Sequence, residues 1–114
     1  MPELPEVETI ARSLRPELVG RRVVAFATTF PGHASPSPAV VQAAVVGRTI
    51  AAVTRRAKYL VWELQSDAAA SVWQLVHLRM SGRFAWATDP EPARRHAHTL
   101  WQLDDGRTLL FCDA

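Results

Sequence analysis

The sequence predicts a mainly β domain of the α+β class, a sandwich or barrel of short strands with an α-helix at its N terminus. From Thr49 to Cys112, short runs rich in β-branched and aromatic residues alternate with turn-forming residues. The first segment instead repeats its apolar residues at helical spacing. With 114 residues, 48% of them hydrophobic, the chain can bury one compact core. We therefore expect residues 1–114 to form a single domain.

The N-terminal helix is predicted over Leu4–Leu18 by one apolar stripe. Its members recur every three or four residues and should face the core: Val7, Ile10, Ala11, Leu14 and Leu18. Pro16 should end or bend the helix after about Leu14, because the proline ring clashes with the preceding turn. Gly20 closes the segment.

The region after the helix begins with a strand predicted over Arg21 to Phe30 and stopped by Pro31-Gly32. Residues 33–38 are rich in proline and serine and should form an exposed loop in which His33 is solvated. Residues 38–46 could form one or two helical turns with Gly47 just past their end, although the valines there weaken a helix.

The remainder of the chain is predicted to contain six short strands. Asp105-Gly106 lies between the last two and is a strong tight-turn signal for a hairpin. Residues 89–92, with two prolines and two acids, should be a loop. Cys112 is the only cysteine, so these residues hold no internal disulfide or multi-cysteine zinc site, and it should be buried in a strand. The predicted strands are Thr49–Arg56, Tyr59–Leu64, Val72–Arg79, Arg83–Ala87, Ala97–Leu103 and Thr108–Cys112.

The first six residues carry the clearest indication of chemistry. If Met1 is removed, Pro2 presents a secondary amine that can add to a sugar aldehyde carbon and form a charged iminium, which prepares neighbouring C–H bonds for elimination. An α-amino group titrates near ~8, so it is less protonated than a lysine. Glu3 and Glu6 would lie near this amine if a helix starts at Leu4. The alternative is ordinary capping by proline and acids, and a retained Met1 would make Pro2 an unreactive amide.

Charge is unevenly distributed along the chain. Basic residues outnumber acids between Arg48 and Arg83, although the net charge is only +2. Lys58 is the only lysine, and the many arginines suit bidentate phosphate contacts, with a solvated arginine-rich surface as the alternative. No apolar run approaches ~20 residues and the N terminus is acidic, so we expect a cytoplasmic protein with no membrane partner.

Four segments resemble, in order and spacing, the bacterial formamidopyrimidine-DNA glycosylases, which remove oxidised purines such as 8-oxoguanine and then cut the DNA strand. Residues 2–9, Pro-Glu-Leu-Pro-Glu-Val-Glu-Thr, resemble the family's opening. Residues 55–60 resemble its lysine segment, residues 77–82 its void-filling methionine loop, and residues 96–98 its phosphate-contacting histidine segment.

The resemblance implies a two-layered β-sandwich with the active site at the start of the N-terminal helix. It makes Pro2 the nucleophile at the deoxyribose anomeric carbon, Glu3 the proton donor at the sugar, and Glu6 an aid to proton movement. Lys58 resembles the family's second catalytic position, which donates a proton in β-elimination and holds a backbone phosphate. Without the resemblance, Lys58 would be interpreted as an outward-facing lysine on a strand.

The resemblance also implies a DNA-binding set, with damaged double-stranded DNA as the partner. Met80 would enter the base stack where the damaged nucleotide has been flipped out, whereas a loop methionine is more commonly a gap-filler. His96 resembles the family's DNA-contacting histidine, and Arg56 and Arg79 are further candidate DNA contacts. His98 is expected to pack or hydrogen-bond within the domain.

The sequence departs from the family pattern after Asp113, where the family continues with proline and an Arg-Arg-Phe-Gly segment and this chain has Ala114. We expect the helical and zinc-finger domain to be absent, no cofactor or metal in these residues, and weak or no activity for the isolated chain. We also expect self-association, either through the sheet edge beside Thr108–Cys112, which would lack a neighbour when the chain ends at Ala114, or through the face that would meet the second domain. The alternatives are an endonuclease VIII-like glycosylase for oxidised pyrimidines and a noncatalytic DNA-binding module.

Overall fold

The computed structural model describes residues 3–114 of the chain, so Met1 and Pro2 lie outside the described residues. Two α-helices and seven β-strands follow one another, with short 3-10 helices at Pro31–His33 and Glu91–Arg94. The elements are α1 (Leu4–Leu18), β1 (Val23–Thr28), α2 (Pro38–Val45), β2 (Thr49–Arg56), β3 (Tyr59–Gln65), β4 (Val72–His77), β5 (Arg83–Trp86), β6 (Ala97–Leu103) and β7 (Thr108–Cys112).

The strands form two antiparallel sheets that pack face to face. One sheet has four strands in the order β1-β6-β7-β5, and the other has three in the order β2-β3-β4. The predicted Asp105-Gly106 turn joins β6 to β7, and Gly106 adopts φ 89°, a conformation that suits glycine. The prediction of a mainly β, two-layered sandwich with an N-terminal helix is confirmed.

Two buried tryptophans join the sheets. Trp62 on β3 and Trp101 on β6 are almost inaccessible to solvent, and their ring centroids lie 4.9 Å apart. The Trp101 Nε1 donates a hydrogen bond to Gln74 Oε1 at 3.1 Å, so its polar atom is satisfied between the layers. Cys112 is also buried in a strand, as predicted. The core therefore lies between the two sheets and under α1.

Helix α1 packs against the three-stranded sheet through the predicted apolar stripe, and Val7, Ala11, Leu14 and Leu18 are buried. Pro16 does not end the helix near Leu14, because α1 continues to Leu18, and the alternative that Pro16 bends the helix stays a prediction. A proline so close to the helix end removes only one hydrogen bond, and the buried Leu18 side chain favours the additional turn. Val19 N–H then closes the helix on Arg15 C=O at 3.0 Å.

Helix α2 forms where helical turns were predicted. Its N-cap is Ser37, whose Oγ accepts a hydrogen bond from Val40 N–H at 3.2 Å. Pro38 occupies the first turn, where its missing N–H costs nothing. The helix places Val45 in the core and leaves Val40 half exposed.

Strand β4 is an edge strand of the three-stranded sheet. Its Trp73 and Leu75 side chains are exposed and line an apolar groove of about 780 Å³ that lies between β4 and α2. The prediction of an unpaired edge beside Thr108–Cys112 is wrong, because β7 pairs with β6 on one side and β5 on the other. Self-association itself stays a prediction. Neither helix within residues 3–114 is long and apolar enough to cross a membrane.

Candidate active site and nucleic-acid interface

The start of α1 is built by Glu3 and Pro5. Glu3 is the N-cap residue with extended backbone (φ −74°, ψ 162°), and its carbonyl accepts hydrogen bonds from Glu6 N–H at 3.0 Å and Val7 N–H at 3.1 Å. Pro5 lies in the first turn, where proline is tolerated. Over the described residues, the Glu3 side chain makes no capping hydrogen bond. Capping therefore explains Pro5 but leaves the Glu3 carboxylate for another role.

The carboxylates of Glu3 and Glu6 are both exposed at this helix start. The predicted nucleophile, Pro2, is outside the described residues, although it directly precedes Glu3. Both carboxylates lie at the N-terminal end of α1, where the helix dipole is positive.

Lys58 lies in the two-residue turn between β2 and β3. The flanking strand residues Arg56 and Tyr59 are paired, and Ala57 adopts a left-handed conformation with φ 52°. The Arg55 guanidinium donates to Ala57 C=O at 3.0 Å and so ties down the turn. The alternative of a lysine within a strand does not apply, because the only lysine is presented at a hairpin tip next to the exposed Arg56.

Met80 lies at the tip of the turn between β4 and β5, and its side chain is 76% exposed. Gly82 N–H donates to Leu78 C=O at 2.7 Å, which closes the turn, and Arg79 adopts φ 61°. Arg79 N–H donates to His77 Nδ1 at 3.0 Å. A side chain this exposed fills no gap in the core described here, so the gap-filler alternative fails for Met80.

A polar network that the sequence did not reveal supports the Met80 turn. Asp113 accepts a hydrogen bond from Ser81 Oγ at 2.7 Å, and its other oxygen lies 3.6 Å from Arg79 Nε and 3.4 Å from His33 Nε2. The carboxylate thus joins the end of β7 to the turn on both sides of Met80. Asp113 carries no local signal in the sequence, since it follows a strand as an ordinary surface acid would.

The prediction that His33 is solvated is wrong, because its side chain is only 4% exposed. Its Nδ1 lies 3.1 Å from Thr99 Oγ1, and its ring packs edge-on against Phe111 at 5.5 Å between centroids. Burial lowers the pKa of His33 from its ordinary value of 6.5, and the hydrogen bond with Asp113 opposes that shift. A segment rich in proline and serine can still bury one residue, which composition does not indicate.

His33 should make the free energy of unfolding depend on pH in a defined window. Below about 6.5 the unfolded chain protonates this histidine, whereas the folded chain stays neutral until its lower pKa is reached. The free energy of unfolding should therefore decrease as the pH falls from 6.5 to that lowered pKa. Urea unfolding of wild type and His33→Gln between pH 7 and pH 5 tests this. The free energy of unfolding should decrease less in the variant, because the variant lacks the contribution of His33.

His96→Gln is the matched control for that experiment, because the His96 side chain is exposed. It should unfold with the wild-type pH dependence. Equal slopes for wild type and His33→Gln would contradict the assignment to His33.

His96 immediately precedes β6 and adopts φ 61°, and its carbonyl accepts a hydrogen bond from Asp113 N–H at 3.0 Å. Its exposed side chain stands next to the end of the Asp113 network. His98 behaves as predicted, because it packs within the domain: its Nδ1 lies 3.4 Å from Thr29 Oγ1 and its ring lies 5.8 Å from that of His33.

The strand register brings these positions to one end of the sandwich. Tyr59, which follows Lys58, pairs with His77 at the end of β4, so the Lys58 and Met80 turns are neighbours. Cys112 pairs with both Arg83 and Ala97, which places the end of β7 beside the Met80 turn and His96.

Helix α1 reaches the same end. Arg15 Nε donates to Val53 C=O at 2.7 Å, and Glu8 lies 3.2 Å from Arg55 Nε, so α1 runs antiparallel to β2 and its N terminus points toward the Lys58 turn. Six of the predicted site residues therefore share one end of the domain with the start of the helix: Glu3, Glu6, Arg56, Lys58, Arg79 and Met80. His96 adjoins them across the four-stranded sheet.

Within residues 3–114, no group of three or more His, Cys, Asp or Glu side chains is arranged to hold a metal ion. The chemistry available at this end is that of amines, carboxylates and guanidinium groups.

Comparison with known proteins shows the family to which the chain belongs. The family model for the formamidopyrimidine-DNA glycosylase N-terminal domain matches residues 1–114. The formamidopyrimidine-DNA glycosylase of Chloroflexus aurantiacus is 45% identical over 99% of this chain and 40% of its own length, and that of Lactococcus lactis subsp. cremoris is 35% identical over the same shares. The chain thus spans about 40% of the length of these relatives.

Solved structures give the same result. Wild-type Lactococcus lactis Fpg (MutM) in complex with DNA that contains N7-benzyl-Fapy-dG superposes with a TM-score of 0.83 at 32% identity, over 98% of this chain and 40% of that one. The same species' Fpg in complex with DNA that contains an abasic site superposes with a TM-score of 0.84 at 31% identity, over 99% and 40%. The chain therefore belongs to the formamidopyrimidine-DNA glycosylase family, as its N-terminal domain.

Proposed function

We propose that this domain carries the catalytic centre of a bifunctional DNA glycosylase and AP lyase of base-excision repair. Its substrates are oxidised purines, namely 8-oxoguanine and formamidopyrimidines, in double-stranded DNA, and it acts in the cytoplasm. The observation that carries the proposal is that one end of the sandwich gathers the start of α1, the only lysine and an exposed methionine turn. Relatives at 35% to 45% identity that bear the glycosylase name support the same assignment.

The proposed reaction begins at Pro2, once Met1 has been removed. Its free amine attacks the anomeric carbon of the deoxyribose, the bond to the damaged base breaks, and the base leaves with the bonding electrons. Glu3 donates a proton to the sugar as the ring opens, and Glu6 assists proton movement there. The product is an iminium between the proline nitrogen and the sugar.

The iminium then supports strand cleavage. It withdraws electrons from the adjacent C–H bond, so that loss of this proton and departure of the 3′ phosphate complete a β-elimination. Lys58 holds a backbone phosphate and donates a proton in this step. Its position on a hairpin tip at the helix end, rather than within a strand, supports this role.

Proposed DNA contacts surround this centre. Met80, 76% exposed, is the apolar wedge that replaces the stacking of a flipped nucleotide. Arg56, Arg79 and His96 are proposed phosphate contacts, which fix orientation without reading sequence. The Asp113 network holds the turn that carries two of these side chains, so that the wedge is presented on a fixed backbone.

Borohydride trapping tests the proposal. Met1-free protein is incubated with duplex DNA that contains a single abasic site and then reduced, which converts an iminium into a stable covalent adduct. Because nonspecific DNA binding lies at roughly 10⁻⁴ to 10⁻⁶ M, protein at tens of micromolar and low salt is appropriate. We expect an adduct with abasic-site DNA and none with the undamaged duplex or without borohydride.

Absence of an adduct from Met1-free protein would contradict the proposed catalytic role. If such protein still shifted DNA in a salt-dependent manner, the noncatalytic DNA-binding alternative would replace it. Competition between duplexes with an oxidised purine and an oxidised pyrimidine separates the proposed lesion class from an endonuclease VIII-like preference.

A further inference from the structure

Two hydrogen bonds in series join helix α1 to the Lys58 turn through the Glu8 carboxylate, the Arg55 guanidinium and the Ala57 carbonyl. Glu8 Oε1 on α1 accepts a hydrogen bond from Arg55 Nε at 3.2 Å, and Arg55 NH1 donates to Ala57 C=O at 3.0 Å. The side chains of Glu8 and Arg55 are only 33% and 29% exposed, so solvent screens this pair less than a surface ion pair. Ala57 is the residue immediately before Lys58. The helix and the turn thus share one guanidinium group.

The Lys58 turn needs such support because of its backbone. Ala57 adopts φ 52°, a left-handed conformation that is unfavourable for a residue other than glycine. Alanine has no polar side chain with which to offset that cost locally. The planar guanidinium uses different N–H groups for the carboxylate and the carbonyl, so both partners fix its orientation.

At its other end, this series of hydrogen bonds fixes α1. The hydrogen bond from Arg55 lowers the pKa of Glu8, which keeps this carboxylate charged. Glu8 lies in the same helix as Glu6 and close to the N-cap residue Glu3, and a helix transmits a constraint along its axis as a stiff element. Holding Glu8 against Arg55 therefore also holds the two candidate catalytic carboxylates relative to Lys58.

Arg12 provides an internal comparison. Its Nε lies 3.2 Å from Glu8 Oε2, the same distance as the Arg55 pair, but it sits one turn further along α1 and its side chain is 75% exposed. It contacts the same carboxylate without reaching the turn. An exposed pair of this kind is worth little to stability.

We propose that Glu8 and Arg55 are positioning residues that set the Lys58 turn against the N terminus of α1. Neither residue is assigned contact with substrate. The inference rests on the proposed function for its catalytic meaning. Its structural part stands on the contacts of described residues alone.

Lysine-specific proteolysis measures the turn directly, because a protease that cuts only after lysine can cleave this chain only at Lys58. Cleavage of the native protein reports how often the turn opens. We expect Glu8→Gln and Arg55→Gln to raise the native cleavage rate about tenfold, since each loses the charge-assisted hydrogen bond between Glu8 and Arg55. Arg12→Gln is the matched control and should cleave at the wild-type rate.

Urea unfolding of the same proteins separates local from global opening. The increase in cleavage should exceed any change in the global unfolding constant. Cleavage at the wild-type rate in both Glu8→Gln and Arg55→Gln, or an increase no larger than the change in global unfolding, would overturn the proposal.

The catalytic part is tested by the rate of borohydride trapping against DNA concentration. Misplacement of Lys58 and the carboxylates should lower the maximal trapping rate of Glu8→Gln and Arg55→Gln about tenfold, with little change in the DNA concentration that gives half that rate. Arg12→Gln should match wild type in both.

The two hypotheses can fail separately. Suppose that wild type forms the adduct, and that Glu8→Gln and Arg55→Gln are cleaved faster but trapped at the wild-type rate. The contacts of Glu8 and Arg55 would then only stabilise the turn, and their role in positioning catalytic groups would be overturned. A wild-type protein that forms no adduct would contradict the proposed function, while proteolysis would still decide whether Glu8 and Arg55 hold the turn.

Discussion

A form of the protein with an uncleavable residue or tag before Pro2 should form no borohydride-stable adduct with abasic-site DNA. The extension turns the proline nitrogen into an amide, whose electron pair is delocalised and cannot attack a carbon centre. The adduct should fall to the background of the undamaged duplex. Gel analysis of extended and Met1-free protein at equal concentration measures the difference.

Pro2→Gly and Lys58→Gln complete the comparison. Pro2→Gly retains a terminal amine but makes it primary, so its adduct should be reduced rather than lost. Lys58→Gln removes the only side-chain amine of the chain and should still form an adduct, although more slowly. Equal trapping by the extended and Met1-free forms would mean that the attacking amine is elsewhere.

Gly82→Ala should produce a large loss of stability at the Met80 turn. A Cβ atom at this position would lie inside the contact distance of the Leu78 carbonyl oxygen and 2.6 Å from Phe111 Cζ. The carbonyl is backbone and also accepts the Gly82 N–H, so it cannot move without opening the turn. We expect the free energy of unfolding to fall by about 3 kcal/mol, the upper part of the usual range for overpacking, as measured by urea denaturation.

Gly106→Ala is the matched control for Gly82→Ala. Gly106 has φ 89° but nothing within 4 Å of an added Cβ atom, so only backbone strain opposes the change. Its cost should be about 1 kcal/mol. A Gly82→Ala protein as stable as Gly106→Ala would show that the Met80 turn can rearrange, and would remove the argument that it presents Met80 on a fixed backbone.

Local patterns predicted the elements of the fold well, because they depend on neighbours in sequence. The apolar stripe of α1 and the glycine turn at Gly106 are both present. Pro16 misled the prediction of the helix end, since burial of Leu18 is a tertiary effect that outweighs the loss of one hydrogen bond. The order of strands within each sheet depends on distant pairings, which the spacing of apolar residues does not encode.

The candidate site was predictable only as a set of residues. The motifs named Glu3, Lys58 and Met80, but their common location follows from the strand register and from the antiparallel course of α1 on β2. The supporting groups were missed for the same reason. His33 and Asp113 are 80 positions apart in a chain whose local composition around each suggests an exposed loop and a strand end.

The most direct test of the central claim is the location of the reduced DNA adduct by mass spectrometry. Digestion after arginine releases the N-terminal peptide, residues 2–12 of the Met1-free chain, separately from the peptide that begins at Ala57 and contains Lys58. If the start of α1 is the catalytic centre, the adduct mass will lie on the N-terminal peptide, at the nitrogen of Pro2. An adduct on Lys58 in the Met1-free protein would contradict this assignment and make the lysine the nucleophile.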